Sequence, residues 1–305
     1  CHDGYKRLKG SPKHCREWNF YKNALVVTDK IIGTGKHGVQ SILHIHPNAN
    51  LMEINNQSVN FQINKFWLNK SLPDNIVLSP GIDINKCKIK NYLKKNLNKI
   101  ITDLDLFFEL NKDALIISIT GTNGKSTTCK ILEHVLRKNN INVRLGGNIG
   151  KPVLDLDLKN EPLVIIEASS FQLAYSKYIK PDYALILNIT KDHLDWHGSY
   201  KNYVDSKFKI FSKQKRNNFA FISNKIILKR FKKERYEGKL KFVNIESYNK
   251  IKNRIKNDYL NSESNEENMS FVYALSKILK INETSLVNSL KSFKGLPHRH
   301  EIFYK

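Results

Sequence analysis

The feature that most constrains this chain is an apolar run, Ala114 to Ile119 with Ser118 its one small polar residue, that leads into the turn Gly121-Thr122-Asn123-Gly124-Lys125-Ser126-Thr127. Beyond the turn, Ile131, Leu132, Val135 and Leu136 fall at helical spacing. A strand with no polar face needs cover on both sides, the situation of a central strand in a parallel sheet. A glycine-rich turn entering a helix presents backbone N–H groups to phosphate oxygens at the positive end of the helix dipole. On this reading Gly121 through Thr127 cradle the phosphates of ATP, Lys125 bridges the β and γ phosphates, and Ser126 or Thr127 holds magnesium. Ile119 stands where the general Gly-x4-Gly-Lys-Ser/Thr loop has its first glycine, so the loop is a variant of that pattern.

Strand and helix patterns alternate onward through Leu163 to Ala168, Tyr183 to Asn188, Phe219 to Ser223 and Phe242 to Ile245. Such alternation predicts an α/β fold with mostly parallel sheet wrapped by helices. Upstream, Ala24 to Ile32 reads as a strand, Gly33-Thr34-Gly35-Lys36-His37-Gly38 as a loop, Val39 to Ile45 as a helix, and Leu51 to Ile54 as a second strand ending near Glu53. This is the Rossmann-like arrangement in which amides hold a diphosphate and a carboxylate takes ribose hydroxyls; a tight glycine turn without a ligand is the competing reading. Then come a strand at Ile76 to Leu78, the turn Ser79-Pro80-Gly81, a basic helical stretch from Asn85 to Leu97, and Asp103-Leu104-Asp105-Leu106-Phe107. Residues 1–28 give no assignable signal, and Cys1, His2, His14 and Cys15 lack zinc-site spacing.

With 305 residues, 40% of them hydrophobic, the chain can support two domains with cores. Its apolar runs are strand-sized, far short of the roughly 20 residues that cross a bilayer. Four cysteines scattered without CxxC spacing suit a reducing compartment, so a cytoplasmic protein is expected. A net charge of +23 would ordinarily suggest a nucleic-acid or anionic-membrane partner. Here the lysines are dispersed among Asn and Ile, Arg is sparse, and no nucleic-acid motif appears. The expectation is a solvated lysine-rich surface, with no nucleic-acid partner, no membrane insertion and a monomeric state.

Five further motifs follow the phosphate loop in order: Gly146-Gly147-Asn148-Ile149-Gly150-Lys151-Pro152, Glu167-Ala168-Ser169-Ser170-Phe171-Gln172-Leu173, Asn188-Ile189-Thr190-Lys191-Asp192-His193-Leu194-Asp195, the frame Tyr200, Tyr203, Lys207, Ile210, Phe211, and Gly295-Leu296-Pro297-His298-Arg299. With them, the chain from about residue 29 to 305 resembles the Mur ligases, ATP-dependent amide-forming enzymes. The Ser79-Pro80-Gly81 and Asp103 to Phe107 segments make it similar to the branch that adds D-glutamate. The loop form itself is shared with folylpolyglutamate synthases.

The resemblance implies a UDP-binding Rossmann-like domain at 29–110, with Lys36, His37, Gly38, Glu53, Ser79 and Gly81 at the nucleotide. It implies a central ATP-binding domain at 111–296, a stub of a third domain at 297–305 in a chain cut short, and an unassigned leader at 1–28. By the same likeness the carboxylate of UDP-N-acetylmuramoyl-L-alanine attacks the γ phosphate of ATP, and the amine of D-glutamate attacks the resulting acyl phosphate. Lys125, His193, Lys207 and Arg299 are the implied catalytic residues. Two magnesium ions are implied, held through Ser126, Glu167, His193 and Lys207, the last as a carbamate formed with carbon dioxide.

Asn148 and His193 are implied at the substrate, Asn268 at the adenine nucleotide and Arg299 at the γ phosphate. Physical reasons accompany these roles: Glu167 ends a buried strand at the sheet edge where ligands collect, and burial supplies the neutral amine that carbamate formation needs. Each has a plainer reading: a solvated strand-end Glu, a surface His, or an exposed lysine, with only the tyrosine frame favouring Lys207 over Lys209. One departure stands out, because the family's His-Asn with a second Asn three residues on is here Glu267-Asn268 with Phe271, which puts the adenine contacts in question. Three other readings stay open: a sister ligase or folylpolyglutamate synthase adding another amino acid, a loop enzyme acting on nucleic acid, and a nucleotide-binding remnant without catalysis.

Overall fold

The structure, a computed structural model, describes residues 13–20, 24–32, 49–54 and 59–63 as strands, and residues 75–87, 89–160 and 162–296 with their side chains. The chain divides into two compact units, Cys1–Asp74 with Asp83–Lys99, and Asn75–Ile82 with Ile100–Lys305. The division differs from the expected 110/111 boundary, since the larger unit takes residues 75–82 and 100–110 as well.

The smaller unit holds β1 (Lys13–Phe20), β2 (Ala24–Ile32), β3 (Ala49–Ile54) and β4 (Val59–Ile63). The expected strands at Ala24 to Ile32 and Leu51 to Ile54 are present, but the Rossmann-like pairing is not. The sheet order is β1-β2-β4-β3 and each of its three pairings is antiparallel. The cause is visible in the spacing: β1 to β2 and β3 to β4 are joined by three and four residues, which close hairpins, whereas parallel neighbours need a crossover of about a dozen or more. The supposed leader therefore contributes β1, and the expected boundary at residue 28 falls inside β2. The expected basic helix is shorter as well, running only over α1 (Lys90–Lys95) before a single 3-10 turn.

In the larger unit, β5 (Ile76–Val77) and β6 (Ile100–Ile101) form a small parallel pair that leads into α2 (Asp103–Leu110). Thr102 and Asp105 cap this helix reciprocally. A six-stranded sheet follows, built from β7 (Ile116–Thr120), β8 (Val143–Gly147), β9 (Leu163–Glu167), β10 (Tyr183–Ile186), β11 (Phe219–Ile222) and β12 (Lys239–Phe242). All its pairings are parallel, in the order β12-β11-β10-β7-β9-β8. Only β12 departs from its expected place, lying three residues earlier. As an edge strand it reads Lys-Leu-Lys-Phe and is covered on neither face fully, so its apolar signal is weak.

The sheet separates two cores, and successive residues of each strand serve opposite ones. Ile117, Ile119, Leu163, Ile165, Leu185 and Phe221 face a layer formed by α3 (Lys125–Lys138), α8 (Glu246–Ile255), the short α9 (Asp258–Asn261), α10 (Glu263–Ile278) and α11 (Glu283–Lys291). Ile116, Val164, Ile166, Ala184, Ile186 and Ala220 face α2, α4 (Ser170–Tyr175), the end of α6 (Tyr200–Phe208) and α7 (Lys225–Lys233). Burial on both faces is why the strands read as continuous apolar runs. The chain leaves β7 for the far edge strand β8, returns through β9, then passes to β10 on the other side of β7. That reversal opens a crevice at the carboxyl ends of β7, β9 and β10, where ligands of such sheets bind. Among the described residues no helix is long and apolar enough to cross a membrane.

Candidate active site

The phosphate loop leaves the carboxyl end of β7, fully buried at the middle of the sheet. Gly124 caps α3 with a φ of 80°, a left-handed backbone that side chains rarely adopt. A Cβ there would also come to 2.0 Å from Asn268 Oδ1. Two constraints thus converge on glycine at this position. Thr122 N–H donates to Asn188 O (2.9 Å) and Asn123 N–H to Asn188 Oδ1 (2.9 Å), which ties the loop to the end of β10. The Lys125 ammonium folds back over the loop and donates to Gly121 O (3.0 Å) and Thr122 O (2.8 Å). Ser126 is half-buried and Thr127 buried in the first turn of α3.

Gly124→Ala is expected to fail on both counts. Left-handed strain alone costs about 1–2 kcal/mol, and displacement of Asn268 adds to it, so the melting temperature should fall by roughly 5 °C. Adenine-nucleotide binding should weaken by at least about tenfold. A variant that melts and binds as the parent does would show that the loop tolerates a Cβ.

Glu167 ends β9 beside this loop, in register with Ile119 of β7 and Gly147 of β8. It is 1% exposed, and its Oε2 has no hydrogen-bond partner. Its Oε1 accepts from Asn148 Nδ2 at 3.0 Å, while Asn148 N–H donates to Glu167 O at 2.9 Å. This close approach requires Gly147, with a φ of 103°, since a Cβ there would meet Glu167 O at 2.4 Å. A buried carboxylate oxygen without a donor is costly unless a cation or ligand proton completes it, so Glu167 fits the magnesium role expected of it.

Lys207 lies inside α6, 1% exposed, and its Nζ donates to Gly121 O at 2.8 Å. Burial first, and then the neighbouring Lys125, lower its pKa to about 7. Lys209 is also partly buried and its pKa lowered by burial, but its amine donates to Ala174 O instead of the loop. Tyr203 joins the parts, with its hydroxyl 2.9 Å from Thr122 Oγ1 and its ring 4.7 Å from Lys207 Nζ. His193 does not end the strand as expected. It follows β10 by seven residues and caps α5 (Leu194–His197) with a φ of 50°, exposed, its Nε2 3.4 Å from Asp192 Oδ2.

On the other side of the loop stands α10. Asn268 is 4% exposed and packs against Gly124, its Nδ2 donating to Asn265 Oδ1 at 3.1 Å. Phe271 is fully buried in the core with Ile119 and Cys129. It belongs to that core, so this position presents no polar group to the loop.

Two residues were missed in the sequence. Buried His197 sits 3.0 Å from Ser170 Oγ, stacks on Phe171, and is held down to a pKa of about 4 by burial and then by Lys207. Glu267 bonds Asn188 and Ser223. Neither carries a local signal, because each acts through partners tens of residues away.

The structure brings Gly121 through Thr127, Asn148, Glu167, Lys207 and Asn268 to one end of one sheet. Ser79 and Gly81 are exposed in a turn closed by Ile82 N–H to Ser79 O (3.0 Å). Glu53 lies in β3, where only the backbone is described, and Lys36, His37, Gly38 and Arg299 lie outside the described residues. Among the described residues no three His, Cys, Asp or Glu side chains gather to hold a metal. The expected set draws only Glu167 and His193 from those types.

The Mur ligase middle domain matches residues 119–287, from the end of β7 into α11. A second match, to the Heparinase II/III-like C-terminal domain, covers residues 1–127; it lies over the antiparallel sheet and stops in the first turn of α3, so it does not mark a folded unit. The chain is 32% identical over 300 residues to the UDP-N-acetylmuramoylalanine–D-glutamate ligase of Rickettsia felis, covering 88% of this chain and 66% of that protein. Against the Rickettsia bellii protein of the same name the figures are 32%, 88% and 67%. The chain thus spans about two thirds of the length of these relatives. In fold it is similar to the MurF ligase of Thermotoga maritima, solved in complex with ADP, with a TM-score of 0.50 at 18% identity over 77% of this chain and 67% of that one. The matched middle domain spans the phosphate loop, Glu167, His193 and Lys207 together, and by that match and its relatives the chain belongs to the Mur ligase family.

Proposed function

We propose that this chain is the catalytic part of an ATP-dependent ligase that joins D-glutamate to UDP-N-acetylmuramoyl-L-alanine in peptidoglycan precursor synthesis. The observation that carries the reading is the meeting of three groups at the carboxyl end of β7: a phosphate loop, a buried carboxylate with an unpartnered oxygen, and a buried lysine of pKa about 7. The loop amides and Lys125 hold the phosphates of ATP in line with the substrate carboxylate. That carboxylate attacks the γ phosphorus and ADP leaves, giving an acyl phosphate; the amine of D-glutamate then attacks the acyl carbon and phosphate departs. Lys125 and Arg299 offset the charge passing through the transferring group.

Glu167, Ser126, His193 and Lys207 would hold magnesium, which when bound would neutralise phosphate charge and make the phosphorus under attack more electrophilic. Lys207 takes part as a carbamate: its neutral amine attacks the carbon of carbon dioxide, a C–N bond forms, one C=O electron pair moves to oxygen, and the nitrogen proton passes to solvent. Asn148 is held on Glu167 and, with His193, meets the carboxylate to be activated. The uridine diphosphate is assigned to Lys36, His37, Gly38, Glu53, Ser79 and Gly81, and adenine to the Asn268 side of the loop. A monomeric cytoplasmic protein without a nucleic-acid partner completes the reading.

The test is ADP release in the presence of the uridine substrate and a panel of amino acids. Release that rises with D-glutamate alone supports the reading. Release with L-lysine, meso-diaminopimelate or L-glutamate in its place would assign a sister reaction, and stimulation by DNA or RNA would overturn the ligase assignment.

A further inference from the structure

At the end of β10 an amide side chain grips the phosphate loop. Asn188 O accepts the N–H of Thr122 (2.9 Å), and Asn188 Oδ1 accepts the N–H of Asn123 (2.9 Å). The loop's first two free amides are thereby spent on shape, leaving those of Gly124 to Ser126 at the helix start for phosphate. The grip works only while the amide oxygen, not the NH2, faces Asn123, and an amide can present either end. Its other end sets the preference: Asn188 Nδ2 donates to Glu267 Oε2 at 2.9 Å and, at a longer 3.3 Å, to Asn123 O. An ionised carboxylate only accepts, so it draws the NH2 toward itself and turns the oxygen toward the loop. Glu267 is fixed in turn by Ser223 Oγ, which donates to its Oε1 at 2.9 Å and lies 3.2 Å from Leu187 O.

We infer that Glu267 is a positioning residue for the phosphate loop, acting through Asn188 to hold the loop in its nucleotide-binding shape. The relay runs from Ser223 after β11, through Glu267 on α10 and Asn188 after β10, to Asn123 after β7. Asn268, next along α10, supports the same loop at Gly124, so one helical turn buttresses it at two points. Glu267 touches no substrate in this scheme, and its carboxylate serves by accepting hydrogen bonds. The inference rests on the reading of Gly121 to Thr127 as an adenine-nucleotide loop.

The test is ADP binding by calorimetry on the intact chain and a set of variants, with melting temperatures taken beside it. Glu267→Gln keeps an acceptor for Asn188 and should bind within about twofold of the parent. Glu267→Lys offers only donors, turns the amide round and sets NH2 against the Asn123 N–H; ADP should bind about tenfold more weakly, the equivalent of one lost hydrogen bond of about 1.4 kcal/mol. Asn188→Asp places a second carboxylate against Glu267 and should be similarly impaired.

The decisive variant combines Asn188→Asp with Glu267→Gln. The glutamine NH2 can now donate to the new carboxylate, whose second oxygen still accepts from Asn123, so affinity should return to within about threefold of the parent. A merely structural site would not recover on adding a second change. Equal binding by all variants, or a double variant as weak as Asn188→Asp alone, would overturn the inference. Failure of the parent chain itself to bind ADP would instead overturn the nucleotide reading beneath it.

Discussion

Lys125→Ala should lose about 10- to 100-fold in affinity for ADP and ATP while uridine-nucleotide binding changes by no more than a few fold. The magnitude follows from removing a charge-assisted hydrogen bond to phosphate, worth about 1.5–3 kcal/mol. A second contribution comes from the loop itself, because the ammonium also binds the carbonyls of Gly121 and Thr122. Without it Thr122 O loses this donor and Gly121 O keeps only that of Lys207, so the loop loosens before any nucleotide arrives. The selectivity for adenine over uridine follows from assigning the two nucleotides to different residues. Calorimetry with each nucleotide separates the two effects; undiminished ADP affinity would remove Lys125, and with it the loop, from the ATP site.

Lys207 should give the second large effect, read through a label and not through turnover. With carbon-13 bicarbonate the parent chain should show a carbamate resonance that Lys207→Met lacks and Lys209→Met keeps; a resonance that survives Lys207→Met would place the modified lysine elsewhere. The same variants probe the amine's environment. Without bicarbonate, Lys207 has a folded pKa of about 7, below the unfolded value of 10.5. The unfolded chain therefore binds more protons between these values, and stability due to this group rises with pH across that window. Below pH 7 the penalty for burying the ammonium is fully present, so Lys207→Met should exceed the parent in stability there, by an amount on the order of a few kcal/mol. The difference should shrink toward pH 10.5. A parent chain whose stability relative to Lys207→Met ignores pH would mean that the amine is not held neutral.

Much of the larger unit was legible in the sequence. The apolar run before Gly121 could only be a strand covered on both faces, and the alternating runs after it could only be its parallel neighbours, because those patterns report burial directly. The Gly-Thr-Asn-Gly-Lys-Ser turn announced a phosphate site because its chemistry is local: backbone amides, a helix start and one lysine lie within seven residues. The frame around Lys207 likewise singled it out before its burial was known.

What the sequence could not decide were properties that depend on neighbours distant along the chain. The smaller unit shows this most plainly, since Ala24 to Ile32 and Leu51 to Ile54 are strands as read, yet hairpin closure over three and four residues made the pairing antiparallel. Periodicity reports which faces are apolar and says nothing of which strand lies alongside. Whether Phe271, three residues after Asn268, is core or surface was not legible locally, because its exposure depends on how α10 packs on β7. The low pKa of Lys207 required the burial that α6 acquires against the sheet. Glu267 became a loop support only when the ends of β10, β11 and α10 met, which places a carboxylate beside an amide 79 residues away. Local chemistry determined what could bind; the solvent excluded and the partners supplied by tertiary packing determined which groups are held in the right state to do so.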